Sequence, residues 1–316
     1  MEGHADSSRA VGASMQAPRV FAVIVTYRPD HAALNRLIGR LSPQVSGIVI
    51  ADNSSDAETA ETLQRAAGNE GEYVSMGDNR GVAEGLNRGA SHACARGATH
   101  LLLMDQDSDP PDDMVQLLLH ALDSLQAQEV RVAAVGPRYV DPRSGYVAPF
   151  VRTQGLRLAM VDSDQDESVE VDFVITSGAL VPVASWAAIG PMAGPMFIDY
   201  VDIEWGLRAR AVGYRSFGVH AARMGHSLGD RRMAFLGQSV PIHSPLRHYY
   251  QIRNPLWLYR QSWIPMHWKL VDGFRLLLRF VFNAVFVAPR LENFRCMLRG
   301  LIHGLAGRLG RYDTLP

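Results

Sequence analysis

Val20-Phe-Ala-Val-Ile-Val-Thr26 is an unbroken β-branched and apolar run, the pattern of a strand covered on both faces. Such strands belong to parallel sheets with helices above and below, and the neighbouring sequence repeats the theme. Tyr27 to Asp30 reads as a turn, and Ala32 to Leu41 has helical apolar spacing. Gly47-Ile-Val-Ile-Ala51 is a second short strand, ending in the polar cluster Asp52-Asn-Ser-Ser-Asp56. A helix follows through Ala67, then a short strand near Tyr73 and Val74, a helix over Val82 to Arg96, and a third apolar strand, His100-Leu-Leu-Leu-Met104. Strand–helix alternation with short links predicts an α/β domain with a mostly parallel sheet flanked by helices. Ligands of such sheets collect beyond the carboxyl ends of the strands. That is where Asp52-Asn-Ser-Ser and Asp105-Gln-Asp-Ser fall.

Farther along, Met114 to Gln126 reads as a helix and Val132 to Val135 as a strand. Residues 141–170 are loop-like and acidic, an edge hairpin or a lid. Val171 to Val183 reads as a strand pair around Ser177-Gly178. From Pro245 onward the pattern is helical and rich in aromatics. The expected division is a disordered lead-in over 1–17, a catalytic domain over 18–244, and a C-terminal helical region over 245–316.

Hydrophobic residues form 47% of the 316 and charged residues 20%, enough for a sizeable core and incompatible with general disorder. The net charge of -1 hides an asymmetry. From Arg247 onward there are 11 Lys+Arg against 3 Asp+Glu, a balance of +8, which leaves -9 on the rest. An acidic body with a basic, apolar tail does not read as a nucleic-acid binder and suits a surface drawn to anionic lipid. Cys94 and Cys296 share no metal-ligand spacing and suit a reducing compartment. Met1 to Ala17 lacks the apolar stretch of a secretory signal. The longest apolar tract, Phe274 to Ala288, is broken by Arg275, Arg279 and Asn283, short of a spanning helix. The expected location is therefore the cytoplasm, peripheral on the inner face of the cytoplasmic membrane.

Several stretches carry chemistry. Asp105-Gln-Asp107 follows an apolar strand directly. Two carboxylates there can hold a hard divalent cation against the growing charge of a departing diphosphate; the plainer reading is a solvated acidic turn. In Asn79-Arg-Gly81-Val-Ala83-Glu-Gly85-Leu-Asn87-Arg-Gly89, small residues at a helix start let backbone approach a phosphate or ribose. The same pattern also suits a helix that packs its small face tightly on the sheet. Asp52 could accept from N3–H of a uracil or thymine ring and could equally cap an Asx turn, with Thr26 beside it in a parallel sheet. In Phe197-Ile-Asp199-Tyr-Val-Asp202-Ile-Glu204-Trp, Asp199 and Asp202 would share one face of a helix start while Glu204 points elsewhere. A carboxylate there could take an acceptor's hydroxyl proton, or merely suit the helix dipole. His226 could complete a metal shell, and Arg231 with Arg232 could meet a diphosphate. Arg247-His-Tyr-Tyr-Gln-Ile-Arg253-Asn254 would turn a polar, aromatic stripe toward the catalytic body. Phe274, Leu277, Leu278, Val281, Phe282, Val285 and Phe286 repeat at helical spacing with Arg275, Arg279 and Asn283 opposite. That helix would lie in a membrane interface, pack on its own domain, or pair with a second subunit as a homodimer.

The ordered set Val23-Ile-Val-Thr-Tyr27, Asp52-Asn-Ser-Ser55, the Asn79–Gly89 string, Asp105-Gln-Asp107 and Asp202-Ile-Glu-Trp resembles the family 2 glycosyltransferases of the GT-A fold. Leu-Met-Asp-Gln-Asp-Ser, Phe-Ile-Asp-Tyr-Val-Asp-Ile-Glu-Trp and Arg-His-Tyr-Tyr-Gln-Ile-Arg-Asn are similar to bacterial rhamnosyltransferases of O-antigen assembly and rhamnolipid synthesis. The resemblance implies dTDP-L-rhamnose as donor, Mg²⁺ or Mn²⁺, inversion at the anomeric carbon, and a lipid-linked glycan or lipid acceptor. By position it puts Thr26, Tyr27, Asp52, Asn79, Gly81, Gly85, Asn87 and Asp105 on the donor nucleotide. Asp52 would read the base, Asp105 and Asp107 would take ribose and metal, and Asp202 would be the general base. Family members more often have Glu-Asp where this chain has Val201-Asp202. Two other readings stand beside it: a family 2 transferase using a UDP-linked sugar, and a non-catalytic nucleotide-binding scaffold.

Overall fold

The computed structural model describes residues 17–54, 56–68, 71–141, 145–161, 168–225, 231–235 and 238–314. In chain order the sheet half comprises β1 (Val20–Thr26), α1 (His31–Leu41), β2 (Gly47–Asp52), α2 (Ala57–Ala67), β3 (Gly71–Ser75), α3 (Val82–Ala95), β4 (His100–Asp105), α4 (Met114–Ala127) and β5 (Val132–Val140). There follow β6 (Phe150–Gln154), β7 (Arg157–Val161), β8 (Ser168–Val171), β9 (Ala179–Pro182), α5 (Val183–Ile189), α6 (Val201–Ala211), β10 (Arg215–Gly225), β11 (Arg231–Phe235) and β12 (Gln238–Ile242). Three helices close the chain: α7 (Pro245–Tyr259), α8 (Met266–Val285) and α9 (Arg290–Leu305).

Eight strands make one sheet in the order β3-β2-β1-β4-β9-β5-β10-β8. β1 is parallel to β2 and β4, while β9 runs antiparallel to β4 and β5. The apolar run of β1 is continuous because its alternating side chains feed two cores. Phe21, Val23 and Val25 pack with Ala83, Leu86 and Ala90 of α3 on one face. Val20, Ala22 and Ile24 pack with Leu34, Leu37 and Leu41 of α1 and Leu118 and Leu122 of α4 on the other. Leu101 and Leu103 of β4 join the first core, and Leu102 and Met104 the second. With both faces covered, the only polar outlets of these strands are their carboxyl ends, which place Thr26, Asp52 and Asp105 in neighbouring rows.

Two local expectations change, and of the two alternatives for 141–170 a hairpin is present. Within Val171 to Val183 only Ala179–Pro182 continues as a strand, and the stretch before it is irregular. Gly178 sits at φ +84° there, and its N–H donates to the Leu103 carbonyl at 2.7 Å, which turns the chain into β9. In the loop-like region 141–170, β6 and β7 form a hairpin, and β8 adds an antiparallel edge to β10. Asp199 precedes α6 rather than sharing its first turn with Asp202, because Asp199 and Tyr200 both take left-handed backbone at φ +63° and +64°.

The helical end is not a loose appendage. Residues 248–255 of α7 are buried, including Arg253, whose guanidinium is entirely removed from solvent. Past α9, Arg311 grips Asp78 in the loop before α3 through Nη1 at 2.8 and 2.9 Å.

Candidate active site

A cavity of about 1130 Å³ opens at the carboxyl ends of β1 and β4 and is closed on the far side by α7 and α8. Thr26, Tyr27, Asn53, Asn79, Gly81, Asp105 and Asp107 line one side. The Thr26 hydroxyl donates to Asp52 Oδ1 at 2.8 Å, as the parallel register of the two strand ends requires. Asp52 Oδ1 also accepts the Ser54 N–H at 3.1 Å, the Asx turn, and Oδ2 accepts the Tyr73 hydroxyl at 3.3 Å. Asp52 is thus buried one layer behind the lining, and Asn53 is the residue of that loop that reaches the cavity. Asn53 Oδ1 takes the Arg80 N–H at 2.9 Å and Asn79 Oδ1 the Gly81 N–H at 3.1 Å, so two amides hold the loop that leads into α3.

Gln106, which the sequence reading passed over, ties the two strand-end loops together. Its Oε1 accepts the Tyr27 N–H at 2.7 Å and its Nε2 donates to the Tyr27 carbonyl at 3.3 Å. An amide between two carboxylates was the signal for it. With Gln106 so engaged, the acids on either side line the cavity, Asp105 half-buried and Asp107 exposed. Oxygen donors of this kind fit a hard cation that completes its shell with water and donor phosphate oxygens. Among the described residues no group of three or more His, Cys, Asp or Glu forms a full protein-built metal shell. His226 lies outside the described residues. Arg231 and Arg232 fall on β11, paired with Ile242 and Pro241 of β12; their side chains are not described. Val240 of β12 lines the cavity, which brings that hairpin to its rim.

Besides Asp52, two further expected donor residues do not line the cavity. A Cβ on Gly85 would come within 2.8 Å of Val25 Cγ1, so this glycine serves the close packing of α3 on β1. Asn87 donates to the Met192 carbonyl at 2.9 Å and accepts the Met192 N–H at 2.8 Å, fastening the segment before α6. Gly81, at φ +86°, has both duties: it lines the cavity, and a Cβ there would sit 2.4 Å from the Phe197 carbonyl oxygen.

Opposite stands the segment 197–202. Phe197, Asp199 and Tyr200 all hold positive φ, a costly arrangement for residues with side chains that needs support from outside. α7 supplies it. Asn254 Nδ2 donates to the carbonyls of Met196, Ile198 and Asp199 at 3.1, 2.8 and 2.7 Å, and Arg253 Nη2 adds the Met196 carbonyl at 2.8 Å. Arg247 clamps both Asp199 oxygens at 2.8 Å each. The Val82 N–H at the head of α3 donates to the Phe197 carbonyl at 2.7 Å. Glu204 points away into an ion pair with Arg208 at 2.7 Å.

Fixed in this way, Asp202 lies in the first turn of α6 and lines the same cavity as Asp105 and Asp107. Its Oδ1 accepts the Ile203 N–H at 2.9 Å. Burial, reinforced by the negative charge of Asp199 and Asp105, pushes its carboxyl up to about 7 against the stabilising pull of that N–H. A carboxylate poised near neutrality is suited to accept a proton. Asp199, clamped by Arg247, and Glu204, turned into its own pair, are placed as structural partners.

Residues 22–164 match the family model of Glycosyl transferase family 2. The chain is 28% identical over 303 residues to the dTDP-rhamnosyl transferase RfbF of Shigella flexneri, covering 93% of this chain and 99% of that protein. Among solved structures it is similar to GalNAc-T7 with UDP, GalNAc and Mn²⁺ (TM-score 0.54, 12% identity, 86% of this chain) and to S. aureus TarS (TM-score 0.50, 12% identity, 85% of this chain). It spans 58% and 44% of the length of those two chains. The fold is that of the GT-A glycosyltransferases, and over its sheet half the chain resembles the family 2 glycosyltransferases. Within that class it resembles the rhamnosyltransferases.

Proposed function

We propose that this enzyme transfers L-rhamnose from dTDP-L-rhamnose, with inversion, to a hydroxyl of a lipid-linked glycan or lipid at the inner face of a membrane. The observation that carries the mechanism is one cavity with Asp105 and Asp107 on one wall and Asp202, its carboxyl raised to about 7, on the other. The donor assignment draws on the similarity to a dTDP-rhamnosyl transferase over nearly the whole chain.

Thr26, Tyr27, Asn53 and Asn79 bind and orient the nucleotide beyond the strand ends, with Asp52 supporting that surface from behind. Asp105 and Asp107 would hold Mg²⁺ or Mn²⁺, which supplies charge neutralisation for the departing diphosphate. Asp202 takes the acceptor's hydroxyl proton as that oxygen bonds to the anomeric carbon. The bond from that carbon to the diphosphate oxygen breaks on the opposite side, and dTDP leaves with the electron pair. The positive-φ segment held by α7 keeps the carboxylate in reach without further ordering.

A thermal-shift panel of dTDP- and UDP-linked sugars tests the donor. A cognate donor at about 100 times its dissociation constant adds roughly 2.7 kcal/mol of stability. Stabilisation by a UDP-hexose and not by dTDP-rhamnose would move the enzyme to another donor class.

A further inference from the structure

The outer faces of α8 and α9 are the largest feature of the molecule that the catalytic reading leaves unused. On α8, Leu277, Leu278, Val281 and Val285 are 48–60% exposed, and only Trp268, Leu276 and Asn283 of that helix are buried. On α9, Leu291, Phe294, Leu298 and Ile302 are 39–61% exposed. The two helices pack side by side through Phe280 and Phe294 and through Leu276 and Met297, so their stripes form one apolar ridge. Packing of the α8 stripe on its own domain is therefore not its use. Exposed apolar surface on this scale marks an interaction site.

Charge selects the occupant. At about 100° per residue, Arg275 flanks the α8 stripe, and Arg290 and Arg295 flank that of α9, whereas Lys269 turns inward and donates to the Gln261 carbonyl at 2.7 Å. None of the ion pairs among the described residues involves Arg275, Arg290 or Arg295. Over 266–305 six Lys+Arg face two acids, and one of these, Asp272, is half-buried and engaged as acceptor of the Tyr200 and Tyr259 hydroxyls. A two-fold interface between copies would set this cationic patch against itself with Glu292 as the one exposed carboxylate of the two helices to answer it. An apolar ridge edged by arginine instead matches a bilayer, with the apolar side chains in the acyl boundary and the cations among anionic headgroups. Among the described residues no helix is long and apolar enough to cross a membrane, so the pair would lie on the surface.

We propose that α8 and α9 together form a docking platform for an anionic lipid bilayer, and that the acceptor reaches Asp202 from that platform along α8. The inference deepens the reading of a membrane-borne acceptor and rests on it for the second half only. The route follows the i, i+4 row Phe274, Leu278 and Phe282, exposed at its first two positions and half-buried at Phe282. Phe282 lines the catalytic cavity together with Arg279 and Asn283, and its ring lies 5.8 Å from that of Phe286. The apolar part of an acceptor can thus stay on the lipid side of α8 while its hydroxyl passes Phe282.

Vesicle co-sedimentation of the full chain tests the platform, using phosphatidylcholine with and without phosphatidylglycerol. Wild type should bind the anionic vesicles on the order of tenfold or more tightly than the neutral ones and be released by salt. The outer-face variant Leu277→Glu/Val281→Glu should lose that binding while keeping the thermal shift with dTDP, which also reports that it is folded. Light scattering should find wild type monomeric without lipid. No vesicle binding, or equal binding to neutral and anionic vesicles, overturns the proposal. A wild-type dimer that the double variant abolishes, with no vesicle binding, assigns the ridge to a second copy instead. Vesicle binding without any dTDP shift would sink the donor reading and leave the platform standing.

Discussion

The two walls of the cavity are built in opposite ways. The strand-end wall uses Thr26, Asp52 and Asp105, which are adjacent because β1, β2 and β4 are in parallel register. The family match over 22–164 lies on this side. The facing wall is a strained segment, 197–202, held by side chains some fifty residues later in α7. One wall needs only a sheet; the other needs a tertiary clamp. The strand-end wall should therefore govern donor binding, and the clamped wall should govern turnover.

The sharpest test of that division is Asp202→Asn, which preserves size and cannot accept the proton. Turnover should fall by about 10² to 10⁴, with the dTDP-induced thermal shift retained. Near-normal turnover at saturating donor and acceptor would place the base elsewhere.

Chelation, or Asp107→Asn, should follow, with a loss in kcat/KM worth several kcal/mol, recovered for wild type by Mg²⁺ or Mn²⁺. Full activity in excess chelator would remove the metal from the mechanism and reduce Asp105-Gln-Asp107 to a solvated turn.

Asn254→Ala probes the clamp. Three carbonyls of a positive-φ segment lose their shared donor, at a cost of about 1–3 kcal/mol in stability. Turnover should drop more than donor affinity. A drop in donor affinity alone would break the proposed split between the walls.

Asp52→Ala acts from the other side. It should raise the donor KM about tenfold with kcat little changed, because support of the nucleotide surface is felt equally in ground and transition states. A kcat defect with unchanged KM would contradict that assignment.

The smallest effect expected is in stability against pH. The Asp202 carboxyl is raised from 3.8 unfolded to about 7 folded, so the folded state binds the extra proton in that window. Ionising it is unfavourable to the fold, and the penalty grows as pH rises from about 4 and is complete above about 7. Asp202→Asn should therefore raise Tm by a few degrees near pH 8 and have little effect near pH 4.5. Activity should run the other way, with kcat/KM rising through about pH 7 and the midpoint falling when a cation sits at Asp105 and Asp107. Equal Tm gains at both pH values would mean that Asp202 is not perturbed.

The sequence by itself determined the sheet, since runs such as Val20–Thr26 and His100–Met104 have too few polar side chains to face water on either side. It also determined that Asp52, Asp105 and Asp107 emerge at strand ends, because a strand's end is set by where the apolar run stops. Tertiary structure alone decided which small and polar residues face the cavity. Gly85 and Asn87 sit in the same string as Asn79 and Gly81, yet they turn to Val25 and Met192. Helix phase against a sheet is a long-range quantity that a local pattern of glycines does not carry. Asp199 was misplaced onto the helix with Asp202 for a related reason. Its left-handed backbone is unfavourable in isolation and exists because Arg247 and Asn254 hold it, residues whose distance in sequence hides the contact. The ridge on α8 and α9 divides along the same line. Its amphipathic spacing was written in the chain, but only the packed structure decided that the apolar side faces outward, because Asp272, Arg279 and Asn283 turn the polar side toward the catalytic body.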